Sequence, residues 1–329
     1  MTRPRQHRRM IALEFQDWRS RVILTRDLDV PADRAEFFAR ARRGEFFRLF
    51  RGVYVRSSDW AARDPRARYE LRVQASAVAM APEEPVFSHE SAAILWRLPL
   101  VGEWPVRAHV IEAHAAGGRG NAMFQRHTSG VPAELRRIQG LQVTALPRTV
   151  VDLARMRPFT SAVVIADAAL RRTMHPVEGL PASGMTREDL LAELADAPLR
   201  HGTAKAAKVI HFADGAADRP GESMSRCSMR AARLPMPELQ VKLRGSSGRT
   251  YFADFLWRSD DLIGEFDGAS KYTDPEFLRG RTPEIALMDE KRREDDLRAA
   301  GFRFSRWGWD VAISPARLRA HLLAAGLGR

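Results

Sequence analysis

Tyr251-Phe-Ala-Asp-Phe-Leu-Trp257, a polar break at 258–261, and Leu262-Ile-Gly-Glu-Phe-Asp-Gly268 form the stretch whose reading decides the fold. Two aromatic and aliphatic runs around a short polar break make a β-hairpin. With Ser259-Asp260 at the turn, antiparallel pairing sets Asp254 opposite Glu265, and the two-residue side-chain period adds Asp267 to that face. Leu256 and Ile263 share the face, so it is covered, and acids among covered positions call for a reason. Carboxylates facing one another across a strand pair repel. A hard divalent cation, Mg2+ or Mn2+, held by Asp254, Glu265 and the Phe266 carbonyl resolves the conflict and activates water for attack on a phosphodiester. The alternative is a solvated hairpin edge whose acids discourage aggregation.

Working outward, 329 residues exceed one average domain, and 45% hydrophobic content supports two or three cores. The division expected is 1–60, 61–180 and 181–329, with the proline- and glycine-rich stretch 176–184 as linker. No apolar run approaches the roughly 18 residues a membrane helix needs, so an unexported cytoplasmic protein is expected. Cys227 is the single cysteine, which excludes an internal disulfide or a thiolate zinc site. The nine histidines show no paired spacing and read as ordinary surface or core residues. A net charge of +12 favours DNA or another polyanion. Nearly all of that charge is arginine, however, and no lysine precedes Lys205, so an arginine-rich composition explains it as well.

The first segment reads as helix, helix, basic helix and wing. Thr25 is expected to cap a short helix. Residues 32–43 form the basic helix, with Phe37 and Phe38 inward and Arg34, Arg40, Arg42 and Arg43 toward solvent, and Gly44 ends it. Strand-forming residues at 45–56, broken at Arg51-Gly52, supply a wing carrying Arg48 and Arg51. In a winged helix-turn-helix these six arginines contact DNA, and the bland reading is a solvated helix face. Arg3, Arg5, Arg8 and Arg9 are either a phosphate-binding arm or a tail.

The middle region mixes helices at 66–80, from Ser88 to Trp96, and after Pro147 and Pro158, with strands at 106–112 and 141–144. Gly117-Gly-Arg-Gly120 lacks the lysine and hydroxyl residue of a phosphate loop and reads as a turn. No catalytic cluster is evident in this region. Further on, Glu222 stands beside Pro220-Gly221 at a helix start, where acids are favoured electrostatically. Lys291, Arg292, Arg293 and Arg298 share a helix with acids, either binding phosphate or pairing internally. Gln240 either joins the site or is a surface amide, and Trp307 and Trp309 read as core and rim packing.

Gly44 through Tyr54, Ser88-His-Glu-Ser-Ala-Ala93 and Pro147-Arg-Thr-Val-Val-Asp-Leu153 resemble the N-terminal region of abortive-infection type IV antitoxin-like proteins. That resemblance covers about half the chain and implies a winged-helix DNA-binding domain, with a cognate toxin as a partner in some members. No catalytic role transfers to His89 or Asp152. From Asp254-Phe-Leu-Trp and Glu265-Phe-Asp-Gly268 through Arg292-Arg-Glu-Asp-Asp-Leu297, Gly301 and Arg306-Trp307, residues 218–326 resemble the very-short-patch-repair-like endonucleases of the PD-(D/E)XK superfamily. This resemblance implies a mixed sheet flanked by helices and magnesium-dependent DNA cleavage, with Asp254 and Glu265 as metal ligands and Glu222 as the outer acid. The superfamily lysine, two residues after the glutamate, is here Asp267. Lys271 or Lys291 is the candidate to supply the missing positive charge.

The fold class expected is therefore an α+β and α/β multidomain chain. Its function is either a metal-dependent DNA endonuclease or an antitoxin-like repressor with a degenerate nuclease domain; an RNA-processing nuclease is a third reading.

Overall fold

A computed structural model describes residues 18–112, 122–128, 130, 132, 134–182, 184–197, 201–268 and 282–328. The expected N-terminal arm, the turn at 117–120 and Lys271 lie outside these residues. The chain is a mixed α/β protein with several sheets. Packing groups it into two units, 1–157 with 176–208, and 158–175 with 209–329. This differs from the division at 60 and 180, because 158–175 joins the C-terminal unit while 176–208 joins the first. Among the described residues no helix is long and apolar enough to cross a membrane.

In the first unit, β1 (Ile23–Leu24) leads into a 3-10 turn at Thr25–Asp27. Thr25 lies inside that turn and does not cap it: its N–H donates to the Gly52 carbonyl at 2.9 Å. Helix α1 (Pro31–Arg42) opens on proline, whose missing N–H costs nothing at that position. It buries Phe37 against Phe46 and Tyr54, at 4.7 and 5.2 Å between ring centroids. Gly44, at φ +83°, takes the left-handed conformation that ends the helix. Strands β2 (Phe46–Phe50) and β3 (Val53–Arg56) form the expected hairpin, in a three-stranded sheet of order β1-β3-β2. Helix α2 (Ser57–Ala61) comes after it, and α3 (Pro65–Met80) is capped by Asp64, whose carboxylate accepts from the Ala67 N–H at 2.8 Å.

A five-stranded sheet comes next in the same unit. It comprises β4 (Val86–Phe87), β5 (Ala108–Ile111), β6 (Phe124–His127), β7 (Leu135–Ile138) and β8 (Leu141–Thr144), in the order β6-β5-β4-β8-β7. Gln139 and Gly140, both at positive φ, make the two-residue turn between β7 and β8. Helices α4 (His89–Leu95) and α5 (Leu146–Met156) belong to this unit. The expected strand at 106–112 is shorter, with Val106 exposed, and β4, β6 and β7 were not legible as strands.

The second unit begins with α6 (Phe159–Arg171). Helix α7 (Arg187–Asp196), closed by a Thr186–Asp189 capping box, belongs to the first unit, and the division falls within α8 (Thr203–Phe212). Then come α9 (Pro220–Ala231), β9 (Glu238–Arg244), β10 (Thr250–Trp257), β11 (Leu262–Phe266), α10 (Pro283–Ala299), β12 (Arg303–Trp307), α11 (Trp309–Ala312) and α12 (Pro315–Ala324). The sheet order is β12-β11-β10-β9, antiparallel except for β11–β12. Two cores cover its faces: Phe255, Trp257, Leu262 and Trp307 pack with Met229 and Leu318, whereas Ala253, Leu256 and Ile263 pack with Leu297. Trp307 is therefore core, as expected, and Trp309 is a partly exposed rim residue stacked edge-on against Phe266.

Candidate functional site

The hairpin register pairs Phe255 with Gly264 and Leu256 with Ile263, which continues to Asp254 opposite Glu265. The turn is a 3-10 segment at Arg258–Asp260 closed by Asp261 at φ +45°. Asp254 is fixed at both oxygens. Its Oδ2 accepts from the Phe266 N–H at 3.1 Å, and its Oδ1 accepts from the Gln240 amide at 3.2 Å. Phe266 thus enters the site through its N–H. Glu222, in the first turn of α9, is buried, and its Oε2 accepts from the same Gln240 amide at 3.1 Å and from the Asp218 N–H at 2.9 Å.

Gln240, which the residue pattern left undecided, is the bridge between two acids. It sits at φ +48°, a left-handed conformation costly for a residue with a Cβ. Ala253 and Phe255 pack on opposite cores, so regular alternation breaks between them, where Asp254 faces Gln240. Gly221 is required for close approach: a Cβ there would lie 2.0 Å from the Phe266 ring, so glycine lets the helix start bearing Glu222 sit against the strand bearing Glu265. Burial and then the charge of Asp254 push the Glu222 carboxyl up to about 8. Burial and then Glu265 push Asp254 up to about 6. Both directions mark carboxylates short of positive charge.

Glu265 is 3% exposed and faces two guanidinium groups. Its Oε1 lies 2.6 Å from Arg293 and its Oε2 lies 3.0 Å from Arg306. Arg306 also contacts Glu290 at 2.5 Å, Glu294 at 3.1 Å and Asp267 at 3.7 Å. Burial opposes its charge, but Glu265 and Glu290 outweigh that and raise its pKa. Asp267 lies just past the end of β11, partly exposed, so it stands at the rim and not in the acid pair. Among the described residues, no three His, Cys, Asp or Glu side chains converge at metal-holding spacing. The expected convergence of Asp254, Glu265 and Asp267 is therefore replaced by an Asp254–Gln240–Glu222 bridge beside an arginine-bound Glu265.

Helix α10 explains which cations reach the acids. Glu290, Arg293, Glu294 and Leu297 follow the i, i+3, i+4, i+7 spacing of one face, and that face meets the site. Lys291 and Arg292 lie off it and are exposed, so Lys291 is not beside the acids, and Arg292 is 3.9 Å from Asp289. Arg293, expected on DNA, faces Glu265 in this structure. The α10 spacing was a signal available for Arg293; for Arg306 the signal was the parallel pairing that sets it beside Glu265.

In the first unit the structure gathers three of the supposedly scattered histidines. The rings of His89 and His127 stack at 3.6 Å, His127 Nε2 lies 3.2 Å from His109 Nδ1, and that nitrogen lies 2.6 Å from Glu90 Oε2. Arg157 holds the other Glu90 oxygen at 2.6 Å. His89 stands at φ +50°, and Ser88 Oγ, positioned as the α4 cap, lies 3.0 Å from its ring instead of bonding a helix N–H. The group opens on a pocket of about 270 Å³ lined also by Arg126, Asp152, Arg155 and His201. Its members come from α4, β5 and β6, too far apart in sequence for any spacing rule.

Burial, then His109, lowers His127 to about 4, and burial, then His127, holds His89 well below the usual imidazole range. Glu90 drops to about 2: burial works against its charge, but His109 and Arg157 prevail. The unfolded chain takes up the His127 proton from pH 6.5 downward while the folded chain resists until about 4, so stability is lost across that window on acidification. The first unit is expected to lose about 3 kcal/mol between pH 7 and 4 from this group, and His127→Phe to flatten the dependence. Urea melts at stepped pH check this; an unchanged slope in the variant would count against it.

Of the six N-terminal arginines, Arg40 and Arg43 hold Glu45 at 2.8 and 3.0 Å and are not free contacts. Arg34, Arg42, Arg48 and Arg51 are exposed, with Arg48 Nε donating to the Phe50 carbonyl at 3.2 Å across a β-bulge.

No family model matches the chain. It is 32% identical over 160 residues to uncharacterized proteins of Mycobacterium tuberculosis strains CDC 1551 / Oshkosh and ATCC 25618 / H37Rv, a match covering 48% of this chain and 55% of each relative. The matched region spans about half the length of these curated relatives.

Proposed function

We propose that the chain is a DNA-binding protein whose second unit is a divalent-metal-dependent phosphodiesterase of the restriction-endonuclease-like type. One observation carries the reading: buried Glu222 and neighbouring Asp254 share the Gln240 amide, and among the described residues neither forms an ion pair. Glu265, Asp267, Glu290 and Glu294 face Arg293 and Arg306 beside this pair, and carboxylate oxygens of this kind suit Mg2+ or Mn2+. Such an ion would supply Lewis-acid activation of water and of a phosphoryl oxygen. Glu222 is the residue suited to take the proton that water releases as it bonds to phosphorus. The ester P–O bond then breaks, and its oxygen is protonated from solvent. Gln240 orients both acids. In the first unit we read α1 and the β2–β3 hairpin as a recognition helix and wing, with Arg34, Arg42, Arg48 and Arg51 available to phosphates.

Supercoiled plasmid nicking tests this. With Mg2+ or Mn2+ the wild type is expected to convert plasmid to open circles, and Asp254→Asn and Glu265→Gln to lower the rate at least about 100-fold. Intact plasmid under both metals sinks the enzyme reading. A second reading, an antitoxin-like repressor acting beside a cognate toxin, is favoured by one observation: each oxygen of Glu265 lies within ion-pair distance of an arginine. Specific gel retardation without cleavage supports it.

A further inference from the structure

We infer that Arg293 is the cation that meets the scissile phosphate, while Arg306 is a positioning residue that holds Glu265; the assignment rests on the phosphodiesterase reading. Hydrolysis gathers negative charge on the phosphoryl oxygens, so a preorganised cation must stand beside the acids. Exposed Lys291 and Arg292 lie off the face of α10 that meets them. Arg293 and Arg306 reach the acids, and their surroundings divide the work between them.

Arg306 is enclosed by four carboxylates, those of Glu265, Asp267, Glu290 and Glu294. Leaving them would take a counter-ion from two nearly buried acids, Glu265 and Glu290, so this side chain stays where it is. Arg293 has one carboxylate partner among the described residues, Glu265 at 2.6 Å, and its other contact is the Phe252 carbonyl, a neutral acceptor. The two side chains are equally exposed, at 22% for Arg293 and 23% for Arg306, so what separates them is the number of acids each one faces. A divalent cation held by Glu265 would compete with Arg293 for that carboxylate, and a phosphate oxygen would then be a suitable partner for the guanidinium. A planar guanidinium can then hold two oxygens at once, which an ammonium cannot.

The test compares wild type, Arg293→Ala, Arg293→Lys and Lys291→Ala in plasmid nicking with Mn2+, and in fluorescence-anisotropy titrations of a labelled duplex in Ca2+ over a series of salt concentrations. Arg293→Ala is expected to cut the nicking rate about 100-fold or more. Millimolar guanidinium should restore part of it, Arg293→Lys should retain an intermediate rate, and Lys291→Ala should match wild type. In the anisotropy series Arg293→Ala should reduce the salt dependence by about one phosphate contact. If the wild type nicks and Arg293→Ala nicks within about threefold of it, this assignment falls while the phosphodiesterase reading stands. A loss in Arg293→Ala that guanidinium does not rescue, with unchanged salt dependence and a lowered melting temperature, marks a structural role and overturns the assignment. If the wild type cleaves nothing under either metal, both readings fail together.

Discussion

Glu222→Gln raises the melting temperature of the metal-free protein at pH 8, by on the order of 5 °C. The expectation runs against the usual cost of altering a buried residue. A carboxyl pushed from 4.5 to about 8 keeps its proton in the folded chain over a range where the unfolded chain gives it up, so folding stability falls as pH rises from 4.5 to 8. At pH 7 this opposes folding by about 3 kcal/mol, which an uncharged amide of the same shape removes. Asp254, pushed up to about 6, adds to the fall over a lower range. The wild type should therefore melt lower at pH 8 than at pH 5.5 in the presence of a chelator, and the variant should lose most of that difference. Differential scanning calorimetry across this range checks it, and equal pH slopes for the two proteins would contradict it. Stability traded for a buried acid pair is what a working site demands.

Arg306→Met lowers stability by about 3 kcal/mol, the lower end of the cost of removing one partner from a buried charge network. Glu265 and Glu290 are nearly buried and lose a shared guanidinium, while Arg293 answers only one oxygen of Glu265. Adding Glu265→Gln should recover part of the loss, because the stranded charge goes with it. Guanidinium chloride unfolding of the single and double variants measures this. A double variant less stable than the single one by the full effect of Glu265→Gln alone would show that the two residues do not interact.

Local chemistry made much of the second unit legible. Residues 251–268 alternate strongly enough to give the hairpin and its register, and Pro220-Gly221 marks the start of the helix carrying Glu222. Three features were not legible, each for a physical reason. Period-two alternation predicts a uniform face, but the left-handed Gln240 breaks it beside Asp254, and backbone strain of that kind leaves no mark in residue type. The acids were expected to wait for a metal or a lysine, whereas Arg306 reaches them from a strand whose parallel pairing across α10 is a long-range choice. The histidine group depends on the order β6-β5-β4 and on the backbone of His89, neither of which spacing along the chain encodes. In the first unit, the basic helix and the hairpin broken at Gly52 came from Pro31, Gly44 and the run of aromatic and β-branched residues. The pairing of Arg40 and Arg43 with Glu45 did not, because it needs the turn at Gly44 to bring the acid back.

Glu222, Asp254 and Glu265 are expected to take up a divalent cation, and calorimetric titration of Mn2+ into wild type and Asp254→Asn at pH 8 measures that without reference to any substrate. One saturable ion per chain is expected for the wild type, with proton release from Glu222 visible as buffer-dependent heat, and no saturable binding for the variant. Heats that match buffer dilution in the wild type, or binding unaltered by Asp254→Asn, would contradict the account.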